Sequence, residues 1–351
     1  MTGFPFVDGR AGHGVRRFVS LMSLLVAGFT MAAWPVLAQK EDRVVVYSSR
    51  NEHLIKPIFD RFQTETGIEV VTHTDKAGPL LQRLKSEGRR SPADILLTVD
   101  AGNLWQAKKM GLLKPVSSSV LNRAVPNHLR DPENQWFGFS VRARTLVYNT
   151  EKVKPEALVG YADLADPKWK GKLLLRTSKK VYNQSLVAML IAQNGAEKTQ
   201  AIVEGWVDNL AAPVFSSDTK LLAALGEGVG AVGIVNSYYF GRLMKKNPDL
   251  PLKLFWPDQQ GAGVHVNISG AAMTAHVKHE QAALKLLEWL AGREAQELFA
   301  NSNMEYPVVP QAKLASEVAS WGDFKQSDMN LAKAGELQAE AIRLMDRAGY
   351  R

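Results

Sequence analysis

Between residues 43 and 98 the chain alternates short apolar runs with longer runs whose apolar residues recur at helical spacing, and this limits its fold more than any other feature. The first run, Arg43–Ser48 (RVVVYS), is β-branched and aromatic enough for a strand buried on both faces. Residues Glu52–Thr66 follow, with Leu54, Ile55, Ile58, Phe59 and Phe62 at helical spacing and Gly67 as a stop. Pro57 lacks an amide, so this helix is expected to start late or to kink. A strand over 68–73, a helix over 78–88 and a strand over 93–98 continue the alternation. Such a pattern forms a parallel sheet covered by helices.

Residues 136–149 (WFGFSVRARTLVYN) are long enough to cross from one lobe to another, and 265–273 (HVNISGAAM) offer a second crossing. Between them lie a loop with Pro167 and Trp169, a strand over 172–176 and a helix over 184–194. A helix over 219–225, a strand over 231–235 and a helix over 238–246, stopped by Asn247-Pro248, complete this part. Helices Glu280–Leu290 and 293–300 come next, and a last amphipathic helix over 327–348 closes the chain. Two crossings between two α/β lobes, with a ligand in the cleft, is the expected architecture.

The N-terminus assigns the compartment. Arg10, Arg16 and Arg17 precede an apolar stretch from Phe18 to Ala33, which closes on Val36-Leu37-Ala38. A basic start, an apolar middle and a small-residue end make a secretory signal peptide over residues 1–38, cleaved near Ala38. The apolar run is short of the ~20 residues of a membrane span. Arg16-Arg17 followed by Phe18 also fits twin-arginine export. Cleavage removes three arginines and one aspartate, so the formal charge falls from +8 to +6. An exported chain without long Lys/Arg blocks is no nucleic-acid binder. With no cysteine, disulfides and thiolate metal sites are excluded, leaving oxygen and imidazole as donors.

Two patterns carry no chemistry in their context. Gly228, Gly230 and Gly233 match GxGxxG, but the run leaves a helix and opens a strand, the reverse of a dinucleotide fingerprint. His276 and His279 are spaced for a metal on a helix, yet their stretch is charged and reads as solvated. No nucleophile elbow or HExxH motif is present, and nothing argues for catalysis.

The informative run is Asn236-Ser237-Tyr238-Tyr239, directly after a strand. Asn236 or Ser237 is placed to cap the following helix. Two phenols then sit at a strand's carboxyl end, the usual rim for ligands in open α/β sheets. Tyr182 has a comparable place, between strand 172–176 and helix 184–194. A tyrosine pair packs more often than it ligates. As ligands, phenolates are hard anionic donors suited to a hard trivalent ion such as ferric iron. A free phenol has a pKa near ~10, so binding must displace a proton from each.

In order and spacing, the mature chain resembles the periplasmic ferric-iron-binding proteins of ABC iron importers. The likeness rests on VVVYSSRNEHLIKPIFDRF, SPADILLTVDAG, GFSVRARTLVYN, YADLADPKWKGKL, VYNQSLVAMLIAQNG, GIVNSYYFGRL, EYPVVP and the closing LMDRAGY. It implies an α/β, two-lobed type II periplasmic-binding clamp, each lobe a mixed sheet flanked by helices, with two crossing strands at the hinge. Lobe 1 would take residues 39–141 and 268–318, and lobe 2 residues 142–267 and 319–351.

By the same resemblance the family's adjacent tyrosine ligands fall on Tyr238 and Tyr239, and the third of one branch on Tyr182. The N-terminal ligand position, a histidine in several members, is Asn51, and the tyrosine beside it in another branch is Glu52. The acid of a further branch falls on Val99 and is missing. The best-fitting branch uses three tyrosines and a bound anion, often carbonate or bicarbonate, for which Arg50 is the first candidate and Arg142 the second. Arg142 could equally be a salt-bridge partner, and Glu52 either a ligand or a solvated residue. The implied protein is a non-enzymatic periplasmic monomer that binds Fe(3+) and feeds an inner-membrane ABC permease. The alternative is a clamp for a polyamine, thiamine or a small organic anion.

Overall fold

The computed structural model describes residues 43–351, so the signal peptide expected over residues 1–38 lies outside the described residues. β1 (Arg43–Ser48), α1 (Glu52–Thr66), β2 (Glu69–Thr74), α2 (Ala77–Glu87) and β3 (Ile95–Val99) form the expected alternation. β1 runs parallel to both β2 and β3. Against expectation, α1 starts on time, at Glu52, with Pro57 inside it. The carbonyl that loses its amide partner is that of His53, an exposed residue where water can take the bond.

α3 (Ala101–Lys109) and α4 (Ser119–Ala124) lead to β4 (Phe137–Asn149), thirteen residues buried throughout. Then come β5 (Leu173–Leu174), α5 (Val181–Asn194), α6 (Ala196–Asp208), α7 (Asp218–Gly226), β6 (Val232–Asn236) and α8 (Ser237–Lys246). β7 (Leu252–Phe255), β8 (Val266–Met273), α9 (Glu280–Leu290) and α10 (Arg293–Asn303) follow. α11 (Ser316–Ala319), α12 (Ala332–Glu336) and α13 (Gln338–Arg347) end the chain.

The strands lie in the order β2-β1-β3-β8-β4-β6-β5, with β7 also on β4. β4 and β8 are the two expected crossings. The first half of β4, Phe137 to Ala143, pairs antiparallel with β8, whereas its second half pairs with β6 and β7. The core follows that handover. Phe137, Phe139, Val141 and Ala143 pack in one cluster with β1, β3 and β8. Leu146 and Tyr148 join a second with α5, α6 and β6, and Val147 a third with α7. Each fully buried aliphatic side chain contributes about 1.5–3 kcal/mol, so both halves of β4 are anchored in their own cores.

Three expectations need correction. The strand expected over 172–176 shrinks to Leu173–Leu174, because the next backbone groups pair with Phe215 in a loop. The closing helix expected over 327–348 splits into α12 and α13 at Leu337. Asn330 accepts a hydrogen bond from the Ala332 amide and starts α12 there, and a Cβ on Gly335 would lie 2.3 Å from that of Trp105. α12 therefore beds closely on α3, while Ala341, Leu344 and Met345 of α13 join the second cluster. Finally, His279 is not freely solvated: its Nδ1 lies 2.9 Å from the buried carboxylate of Asp94, whereas His276 is exposed. Gly228, Gly230 and Gly233 do form a turn between packed elements. Gly228 has φ +76°, and a Cβ on Gly230 or Gly233 would come within 2.6 Å of Leu174 or Leu221.

Candidate metal centre

β1, β3 and β6 end at Ser48, Val99 and Asn236, and the chain then turns into α1, α3 and α8. A cavity of about 120 Å³ opens beside these ends. Ser49, Arg50, Asn51, Leu54 and Val99 line it from β1, α1 and β3. Tyr182 of α5 and Tyr238, Tyr239 and Arg242 of α8 line it opposite, and Arg142 of β4 and Glu305 complete it. Tyr182, Tyr238, Tyr239, Asn51, Arg50 and Arg142, all singled out in the sequence, thus share one small space. Glu52 is exposed in the first turn of α1 and is not part of the lining.

The tyrosines are held by the starts of two helices. Tyr238 and Tyr239 open α8 with ring centroids 4.4 Å apart. The guanidinium carbons of Arg242 and Arg142 lie 5.0 Å and 5.7 Å from the Tyr238 ring centroid. Asn236 does not cap α8 as expected; its amide donates to the Tyr238 hydroxyl at 3.3 Å, while its oxygen accepts from Arg144. Nor does Ser237 cap it, since its buried Oγ has no hydrogen-bond partner. Tyr182 lies inside the first turn of α5, not ahead of it, because that helix starts at Val181. The Arg176 guanidinium sits 5.3 Å from its ring centroid.

Burial, reinforced by the neighbouring Tyr182 and Tyr239 phenols, pushes Tyr238 well above the usual phenol value, against the opposing pull of Arg142. Without a cation in the cavity Tyr238 is therefore neutral, and a metal that uses its oxygen must displace the proton.

The residue that sequence reasoning missed is Glu305, which follows the C-terminal end of α10. Met304 before it has φ +53°, and Tyr306 after it bridges to Val141 on β4 through amide–carbonyl bonds of 2.7 Å and 2.8 Å. Arg50 donates to both Glu305 oxygens, from Nη2 at 3.0 Å and Nη1 at 3.2 Å. Arg142 Nε lies 3.4 Å from the same carboxylate, and Ser140 Oγ donates to it. Burial would raise the pKa of this carboxyl, but Arg50, Arg142 and the hydrogen bonds outweigh it and hold Glu305 at about 2. Both arginines are at least 95% buried. Arg142 is thus an ion-pair partner, and the anion that Arg50 holds here is a carboxylate of the chain itself.

Asp100 braces this site from below. It has φ +79°, is fully buried, and accepts from Ser185 Oγ, the Gly102 amide and Asn267 Nδ2 at 2.7–2.9 Å. Burial outweighs those bonds and raises its carboxyl to about 6. It ties the end of β3 to α5, which carries Tyr182, and to β8.

A sheet with two crossing strands, separate cores on either half of β4 and a polar cavity at strand ends defines a solute-binding protein of the type II periplasmic-binding fold. The chain belongs to the family described as bacterial extracellular solute-binding protein, whose model matches residues 90–333. It is 41% identical to iron uptake protein A1 of Synechocystis over 318 residues, 89% of this chain and 88% of that one. It is 27% identical to the Fe(3+)-binding periplasmic protein of Serratia marcescens, over 93% and 96% of the two chains. Among solved structures, FutA (IdiA) of Trichodesmium in complex with iron and citrate superposes with a TM-score of 0.85 at 43% identity, over 88% of this chain and all of that one. The ferric binding protein of Campylobacter jejuni gives 0.82 at 35%, over 88% and 100%.

Proposed function

We propose that the mature protein is a periplasmic carrier that captures one ferric ion through the phenolates of Tyr182, Tyr238 and Tyr239 and hands it to an inner-membrane ABC permease. The observation that carries this reading is the meeting of three phenols, from two different helices, in a cavity of about 120 Å³. Phenolate oxygen matches ferric iron in hardness, and three phenolates balance its charge. The relatives named above, which are iron-uptake and ferric-binding proteins, support the same reading. The protein works as a monomeric clamp of two lobes, 39–141 with 268–318 and 142–267 with 319–351, and not as an enzyme. Three phenolates leave the shell of a ferric ion open, and a negative group at Arg50 contributes to closing it. Carbonate or bicarbonate, and the carboxylate of Glu305, are the two sources of that charge.

The lining disfavours a polyamine or thiamine. Arg50, Arg142 and Arg242 face the cavity against one carboxylate, so a cation without charge-neutralising ligands would be repelled. A small organic anion meets no such objection, and thermal-shift screening against organic anions separates it from iron.

The test is a visible titration of the metal-stripped mature protein with ferric citrate. A saturable charge-transfer band from tyrosinate bound to ferric iron, at one equivalent, is expected. Each phenol that ligates loses a proton, so apparent affinity should rise with pH by about one decade per unit for each proton displaced. Tyr238→Phe and Tyr239→Phe should each weaken binding by at least about 10- to 100-fold, as a lost ligand costs no less than a lost partner of a ligand. Unchanged affinity in either variant removes that tyrosine from the site.

A further inference from the structure

We infer that the back of the hinge carries a second ligand site, for a small organic amine with an apolar body, and that its occupancy is linked to closure of the metal cleft. The link rests on the two-lobe ferric reading above; the site itself does not.

A cavity of about 410 Å³, larger than the metal cavity of about 120 Å³, lies on the other side of β4. Neighbouring residues of a strand point to opposite faces, so Arg142 lines the metal cavity and Val141 the rear one. Glu305 and Tyr306 divide in the same way: Glu305 lines only the first and Tyr306 only the second. The two cavities therefore share two stretches of backbone.

The rear cavity has two walls. Leu129, Val141 and Tyr306 form one, and the backbone bridge between Val141 and Tyr306 fixes it to the first half of β4. Asp323, Phe324 and Gln326 form the other. That segment is strapped to the proposed lobe 2. The Val264 amide donates to the Lys325 carbonyl and the Ser327 amide to the Val264 carbonyl, both at 2.9 Å, and the Trp256 indole donates to the Trp321 carbonyl at 2.9 Å. A ligand that touches both walls bridges the lobes behind the crossing strands, and lobe closure changes the gap it fills.

The lining sets the ligand class. It is chiefly apolar, and Asp323 is its one charged residue, exposed and without an ion pair among the described residues. Tyr306 and Phe324 meet edge to face with ring centroids 5.1 Å apart, and Trp256 stacks on Phe324 at 4.1 Å. Aromatic rings beside a carboxylate attract an ammonium group and disfavour an anion. The Tyr306 hydroxyl has no hydrogen-bond partner in the protein, a second polar group that an ammonium can use. The volume suits a single small ring compound.

The experiment is calorimetry of the metal-free full mature protein with phenethylamine, phenethyl alcohol and phenylacetate at millimolar concentration, three probes with one body and different charge. The amine should bind, the alcohol more weakly and the acid not at all. Asp323→Asn should weaken the amine about two- to fivefold, the range of an exposed ion pair, and leave the alcohol unchanged. Gln326→Trp places an indole in the gap from an exposed position and should abolish binding of both. No binding of the amine, or equal binding of amine and acid, overturns the site. In the second arm, saturating amine should change the apparent ferric affinity at least about fivefold, and iron should change the amine affinity by the same factor. Unchanged affinities, or a change that persists in Gln326→Trp, overturn the link to closure. If no iron colour develops with or without amine, the ferric reading fails instead, and the calorimetry still decides the rear site.

Discussion

Two buried clusters in this protein are built from the same parts, a carboxylate between two arginines, and they serve different ends. One is Glu305 between Arg50 and Arg142; the other is Asp218 between Arg144 and Arg176. Both draw an arginine from the same face of β4, since Arg142 and Arg144 are two residues apart on a strand. The Glu305 cluster lines the cavity and both of its oxygens are engaged. Asp218 uses only one oxygen, which takes Arg144 at 3.0 Å, Arg176 at 3.4 Å and the Asn236 amide at 3.5 Å, while its Oδ1 has no partner. It therefore holds the end of β6, from which the tyrosine pair springs, and meets no ligand. The lesson is that access to the cavity, and not composition, separates a binding cluster from a scaffold cluster.

Asp218→Ala should have the largest effect, a loss of about 3–5 kcal/mol in stability, because it leaves two buried guanidiniums uncompensated. Urea unfolding of the metal-free protein measures it. A small loss would mean that the second cluster is not structural and the contrast drawn above is wrong.

The next effect separates the clusters by acid. Glu305 is held at about 2, below its ordinary 4.5, so its stabilisation is present above pH 4.5 and is lost as pH falls through 2. The increment is at most about 3 kcal/mol, with burial in its favour and relaxation against it. Stability curves of the wild type and Glu305→Gln should keep a constant separation above pH 4.5 and approach each other as pH falls from 4.5 towards 2. Parallel curves would show that the carboxylate carries no such charge.

The smallest effect expected is that of Glu52→Gln. Its side chain is exposed and outside the cavity lining, so iron affinity should change by less than about twofold, the range of a screened surface charge. A large loss would bring the start of α1 into the metal shell and move the boundary between ligand and scaffold.

Much of this was written locally. The alternation through residue 98, both crossing strands and the strand–tyrosine junction after β6 are set by apolar spacing and by side chains near in sequence, and the structure places them within a few residues of expectation. Local signals failed where a distant partner took over. Asn236 looks like a cap, but Arg144 takes its oxygen. The closing amphipathic run keeps its period while its axis breaks, because α12 must fit against Trp105. Tyr182, more than fifty residues before Tyr238, was legible as a phenol at a similar strand-to-helix junction, but only the fold sets both in one cavity with Arg142.

What the sequence by itself determined, then, is the layered α/β architecture, the tyrosine pair at a strand end and the absence of any thiolate chemistry. Only the tertiary structure decided that Arg50 is already paired. Its partner Glu305 lies 255 positions away in a loop, and no periodicity or spacing links residues that meet only when α10 ends against β4. Charges separated by that much chain are brought within 3.0 Å by the packing of two crossing strands, and the meaning of each depends on the other.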